Sequence, residues 1–135
     1  LACGSDASGQ CRVGAYTDVI AVACGDYATV LLFRDGSVHA EGNLSVETFD
    51  ARTWDNVTRI AAGNSHLLAL GAGGRVYFAG SPEYAGADAV DDWSRIRYIA
   101  CGERSSYALD ASGNIVFCGS DTPSLSGSEW ESLLP

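Results

Sequence analysis

The sequence has no methionine, three prolines and two histidines in 135 residues. Nowhere do apolar residues run for the roughly 18–20 positions of a membrane-spanning helix. Residues 1–10 lack the basic start and apolar run of a secretory signal. No Cys-x-x-Cys pair occurs, and the cysteine count is odd: Cys3, Cys11, Cys24, Cys101 and Cys118. That pattern signals neither a closed disulfide framework nor a zinc site. Basic side chains are few, with 8 Lys and Arg against 17 Asp and Glu and a formal charge of −9. Such a surface repels phosphate, so neither nucleic acid nor an anionic membrane is an expected partner. The acids serve solubility, or they face a basic protein.

What is present is apolar and glycine-rich: 47% hydrophobic residues and 16 glycines. That is enough to build a core and too apolar for a disordered segment. The glycines are ordered. Gly25, Gly63 and Gly102 end three similar stretches, Val19–Gly25, Val57–Gly63 and Ile96–Gly102, and lie 38 and 39 residues apart. A second glycine follows each by 11 residues, at Gly36, Gly74 and Gly113. A third follows by 17, at Gly42, Gly80 and Gly119. An aromatic stands three places before each stretch: Tyr16, Trp54 and Trp93. Gly4 lies 38 before Gly42, and Trp130 and Leu133 repeat the spacing of Trp54 and Val57. All length variation falls between the third glycine and the aromatic, with steps of 12, 12, 13 and 11. A segment that tolerates insertion is a surface loop.

Each unit reads as strands. The Val19 stretch predicts a short buried strand. A second strand covers Val30–Phe33, Leu68–Leu70 and Tyr107–Leu109, although alternation alone leaves its core face open for Val30 and Leu32 against Leu31 and Phe33. Asp35-Gly36, Gly73-Gly74 and Ser112-Gly113 predict tight hairpin turns, where glycine supplies a positive φ. A third strand follows at Val38–Ala40, Val76–Phe78 and Ile115–Phe117. No segment holds a long helical period. Three or four short strands per unit of about 40 residues is the size of a propeller blade. The small residues Ala23, Ala61 and Ala100 suit a crowded inner strand.

These residues carry a family resemblance. The small-residue-plus-glycine strand, the apolar strand, Asp-Gly-x-Val at Asp35–Val38 and the closing glycine resemble the repeat of the regulator of chromosome condensation (RCC1-like) family. Gly4–Gln10 looks like that family's post-strand motif, and His66, three after Gly63, matches its recurring histidine. Ala28 and Ser105 stand at that position in the other units, and the family's aromatic before the third glycine is replaced by Cys3, Glu41, Ala79 and Cys118. The resemblance implies an all-β partial β-propeller of about three and a half blades. Its parts are 1–18 as the end of a blade, then blades at 19–56, 57–95 and 96–132. It further implies a portion of a larger propeller, with self-association of the chain as the alternative, since an open array leaves two sheet faces bare.

Candidate chemistry is sparse. His66 is expected to hydrogen-bond a neighbouring loop, and His39 to face solvent. No Ser-His-Asp geometry is implied. Equivalent cysteines lie a blade or more apart, beyond disulfide reach, and read as buried free thiols. Free thiols lean toward an intracellular setting. Asp91, Asp92, Glu129 and Glu131 read as solvating acids rather than metal ligands. The glycines do not form a phosphate loop, because no Lys-Ser/Thr pair and no helix follow them. No cofactor or metal is expected. The tryptophans read as packing anchors.

Surface recognition remains. The turns after each first strand, Asp26-Tyr27, Asn64-Ser65 and Glu103-Arg104, should gather on one face of a propeller and form a composite surface. The expected function is a non-catalytic protein–protein interaction scaffold. The alternative implied by the resemblance is a regulator of a partner enzyme, an inhibitor or nucleotide-exchange factor, acting through one face.

Overall fold

The computed structural model describes residues 1–43, 54, 56–80 and 87–120. Trp130, Leu133, Glu129, Glu131 and most of the variable loops lie outside them. Nine strands form three sheets of three: β1 (Val19–Cys24), β2 (Ala28–Phe33) and β3 (Val38–Gly42); β4 (Val57–Ala62), β5 (His66–Gly71) and β6 (Val76–Gly80); β7 (Ile96–Cys101), β8 (Ser105–Asp110) and β9 (Ile115–Gly119). Each sheet is an antiparallel meander in chain order. One short helix, α1 (Ala87–Val90), lies between the second and third sheets in sequence and packs on β6. The architecture is therefore all-β, with about three propeller blades and no closed ring among the described residues.

The turn between the second and third strands repeats atom for atom. Gly36 N donates to Phe33 O at 3.0 Å, and Phe33 N donates to Ser37 O at 2.9 Å. Gly74 with Gly71 and Arg75, and Gly113 with Asp110 and Asn114, make the same pair of bonds. This is a three-residue hairpin whose last residue needs a left-handed backbone, rather than a two-residue turn. The φ values there are 84°, 79° and 90°.

The register fixes which side chains share a face. A bulge at the start of each first strand leaves one residue out of step: Ile20, Thr58 and Arg97. Beyond it, Ala21 and Ala23 pair with Leu32 and Val30, and Val22 pairs with Leu31. The same pattern holds in the other two blades. Val30, Ala28 and Leu32 then pack against Leu67, Ala69, Ile60 and Val57 of the second blade. Leu68, Leu70 and Val76 pack against Ile96, Ile99 and Ala108 of the third. Each fully buried Leu or Ile in these layers contributes roughly 1.5–3 kcal/mol.

Every residue of β5 is buried, because the middle blade is covered on both faces. A strand in that position carries no polar alternation, as His66–Gly71 shows. β1 departs from expectation. Instead of being buried, it exposes alternate residues, since no described blade lies against its outer face.

The aromatics that precede the blades wedge between sheets. Trp54 stacks on Tyr77, with ring centroids 5.5 Å apart, and packs among Val38 and Ile60. Trp93 and the buried Val90 fill the next gap. Tyr16 holds the same register in the first blade and packs on Phe33 and His39. Residues 1–18 form turns and no strand, yet Gly4 keeps a positive φ of 118°, like Gly42, Gly80 and Gly119.

Candidate interaction surface

The turns after the three first strands stand in a row. A Cβ at Gly25 would strike the carbonyl oxygen of Gly63, and one at Gly63 would come within 2.5 Å of the carbonyl oxygen of Gly102. None of these three glycines has a positive φ. Gly25 and Gly63 are small because the neighbouring turn presses backbone to backbone, whereas a Cβ at Gly102 would meet Ser105 of its own blade. Asn64 N donates to Glu103 O at 3.2 Å, tying the second turn to the third. The residues that follow two closing glycines brace the row from the side: Asn43 N donates to Tyr27 O at 2.8 Å and Ser120 N to Arg104 O at 3.1 Å.

The structure thus brings Asp26, Tyr27, Asn64, Ser65, Glu103 and Arg104 onto one continuous ridge. They are not equally available. Asp26, Tyr27, Glu103 and Arg104 are exposed, whereas Asn64 and Ser65 are half-buried in the middle of the row. Tyr27 presents an apolar ring at one end. Glu103 and Arg104 form an exposed ion pair at 3.9 Å at the other. Such an exposed pair adds little to stability.

His66 lies beneath this ridge. It is buried, stacks on Phe78 at 6.0 Å and presses on Gly63. The expected hydrogen bond to a loop is not formed, since neither ring nitrogen has a partner at hydrogen-bond geometry. Burial lowers its pKa below the ordinary value, opposed by the nearby Ser105 backbone. The ring is therefore a neutral packing element, and Ala28 and Ser105 replace it in the flanking blades.

A second polar cluster was not legible from spacing. On the outer face of the first blade, the Tyr16 hydroxyl donates to Glu41 and lies 2.7 Å from His39 Nε2, which is 3.2 Å from Glu41 Oε1. The hydrogen bond from Tyr16 holds Glu41 below the usual carboxylate range, and the same bond raises Tyr16. His39 does face solvent, as expected, but it is held by these two neighbours. The available signal was that His39 and Glu41 are two apart on one strand, on the side where Tyr16 docks.

The cysteines are free. Not all are buried as expected: Cys3 and Cys24 are exposed. Cys24 and Cys101 share a register, but the second blade covers only Cys101, whose thiol burial pushes up to about 12. Asp91 and Asp92 are exposed. Among the described residues no group of His, Cys, Asp and Glu could hold a metal ion, and no helix is long and apolar enough to cross a membrane.

No protein-family model matches the chain, and no curated protein matches it. Solved structures do. The chain is similar to human WBSCR16, with a TM-score of 0.73 and 21% identity, over 90% of this chain and 44% of that one. It is similar to Prp20p of Saccharomyces cerevisiae, with a TM-score of 0.61 and 22% identity, over 76% of this chain and 31% of that one. Prp20p is yeast RCC1, and a second structure of it, bound to Kap60, gives a TM-score of 0.58 and 24% identity over 77% and 30% of the two chains. The three sheets are therefore RCC1-like propeller blades. The chain spans less than half the length of each of these neighbours.

Proposed function

We propose that the chain is a non-catalytic protein-interaction scaffold that meets its partner along the ridge of Asp26, Tyr27, Glu103 and Arg104. The observation that carries this reading is the backbone contact of the three turns, which makes one rigid surface from three blades. A composite site held by backbone contacts loses little entropy on binding. Tyr and Arg are the residues most often enriched at the energetic centre of interfaces. The neighbours support a protein partner: Prp20p has been examined for binding to Gsp1p and histones, and it is seen bound to Kap60. The formal charge of −9 favours a basic or neutral partner surface over an acidic one.

The test is a comparison of captured proteins. Immobilised wild type and a Tyr27→Ala/Glu103→Ala/Arg104→Ala variant are exposed to the same extract, and retained proteins are quantified by mass spectrometry. All three side chains are exposed, so the variant should fold as the wild type does. A partner held by the wild type and lost from the variant supports the reading. Equal retention by both contradicts it.

A further inference from the structure

The joint between the second and third blades differs in chemistry from the joint between the first and second. By strand register, Cys101, Ser106 and Cys118 of the third blade stand where Ala62, Leu67 and Ala79 stand in the second. His66 of the second blade stands where Ala28 stands in the first. At the first joint Ala28, Leu67, Ala62 and Ala79 belong to one apolar cluster. At the second joint all four positions carry a polar or ionisable group, and two of them are deeply buried: His66 is 1% exposed and Ser106 0%.

His66 is the least supported of the four, since neither ring nitrogen has a hydrogen-bond partner. It sits directly under the middle turn of the ridge. A Cβ at Gly63 would touch its ring, and the Gly63 amide donates to the His66 carbonyl at 2.8 Å. The groups that face this joint offer no countercharge. Burial raises the thiols of Cys101 on β7 and Cys118 on β9, so both are neutral. On β4 the cation Arg59 is turned onto Tyr98, and Phe78 of β6 stacks on the imidazole. Asp110 lies at the far end of β8, bonded to Asn114. Glu103 and Arg104, in the adjoining turn, are exposed and pair with each other. Among the described residues no carboxylate acts on the His66 ring, whose proton answers to burial and to the Ser105 backbone. A charge placed there would be buried and unpaired, and it is relieved only by reaching water.

We propose that the contact between the second and third blades is an acid-opened joint: protonation of His66 parts the Asn64 and Glu103 turns and breaks the ridge, while the contact between the first and second blades stays closed. The bond that fails is the one from Asn64 N to Glu103 O, at 3.2 Å, which ties the two turns. The sign follows from the two states. In the open state His66 meets water and takes up its proton at about pH 6.5, whereas in the closed state it does so only at lower pH. The joint is therefore closed above about pH 6.5, and opening gains as pH falls below it. The first joint has Ala28 in this place and no group that titrates there. The opening concerns the chain alone, so it is decided separately from whether the ridge binds a protein.

Amide hydrogen exchange followed by NMR from pH 7.5 to pH 5 tests this with the wild type and His66→Phe, each rate corrected for the intrinsic pH dependence of exchange. In the wild type the protection of the Asn64 amide should fall at least ~5-fold over that span, while the amides of β2 in the first blade keep theirs, as expected of a local opening linked to one proton. In His66→Phe the Asn64 protection should not change with pH. Labelling of Cys101 with a disulfide reagent active in acid, taken relative to the exposed Cys24, should rise by the same factor in the wild type alone. A second comparison needs no variant: the loss of Asn64 protection must share its midpoint with proton uptake by the His66 ring, read from its Cε1 proton. Asn64 protection that is constant with pH, β2 amides that lose protection in step with it, an equal loss in His66→Phe, or a midpoint apart from that of the ring overturns the proposal.

Discussion

The amide of Asn64 donates to the carbonyl of Glu103 across the gap between the second and third blades, at 3.2 Å. This bond joins turns from two separate sheets, and the absence of a Cβ at Gly63 lets its backbone meet the Gly102 carbonyl. The ridge is thus a property of the stacking rather than of any one turn.

Three glycines separate the causes of glycine use. A Cβ at Gly63 would meet the Gly102 carbonyl and the His66 ring, so Gly63→Ala should destabilise by about 3 kcal/mol through overpacking. Gly113 has open space but a φ of 90°, so Gly113→Ala should cost about 1 kcal/mol in backbone strain. Gly73 has open space and no positive φ, so Gly73→Ala should stabilise by about 0.5 kcal/mol by restricting the unfolded chain. Urea unfolding of the three variants measures the order. Equal effects would contradict the contact between turns.

His66 makes stability depend on pH. Its folded pKa is lowered by burial, so its contribution is full above the unfolded value of about 6.5. Below that, the unfolded chain takes up the proton first, and stability is lost as pH falls toward the folded pKa. Thermal unfolding between pH 7.5 and pH 5 should show a falling midpoint. His66→Phe, which keeps a ring against Phe78, should flatten that slope. The acids with lowered pKa, Glu41, Asp35 and Asp110, act only at more acid pH.

Thiol chemistry should divide the cysteines. At pH 8 in dilute solution, Cys3 and Cys24 should react with a small thiol reagent within minutes, being exposed. Cys101, raised to about 12 by burial, should react only when the protein unfolds, because the thiolate is the reactive form. Peptide mapping after timed labelling gives the rates. Fast labelling of Cys101 in the folded state would mean that the second and third blades do not pack as described.

The wedge aromatics carry much of the packing between blades. Trp54→Ala removes the ring stacked on Tyr77 and packed near Leu32 and Val57, and should cost about 3–5 kcal/mol. Trp54→Phe should recover most of that. Chemical unfolding followed by circular dichroism distinguishes the two. A small loss for both would show that the first and second blades hold together without the wedge.

The repeat frame was legible in the sequence because its glycines answer to geometry that few other residues allow. Gly36, Gly74 and Gly113 close identical hairpins, and their spacing could be read directly. The faces of the strands were not legible, since β5 is buried on both sides and shows no alternation. Nor were the left-handed residues before each first strand, Asp18, Asn56 and Arg95, with φ of 61°, 49° and 55°. Their amino acids differ, and only the shared backbone bond to the following turn, as from Arg34 N to Asp18 O, unites them. The six ridge residues could be placed on one edge by register. Their unequal exposure could not, because it depends on neighbouring turns flanking Asn64 and Ser65 in space. The cluster of Tyr16, His39 and Glu41 joins residues 23 and 25 apart, a contact that only the folded blade creates.

The three turns are proposed to act as one protein-binding ridge. Quantitative capture by the wild type and by the Tyr27→Ala/Glu103→Ala/Arg104→Ala variant, at equal folded concentration, tests it most directly. At least one protein should be retained by the wild type and reduced ~100-fold or more on the variant, as expected when interface hot spots of about 2 kcal/mol or more each are removed. The same proteins retained equally by both, with unfolding midpoints unchanged, would contradict it.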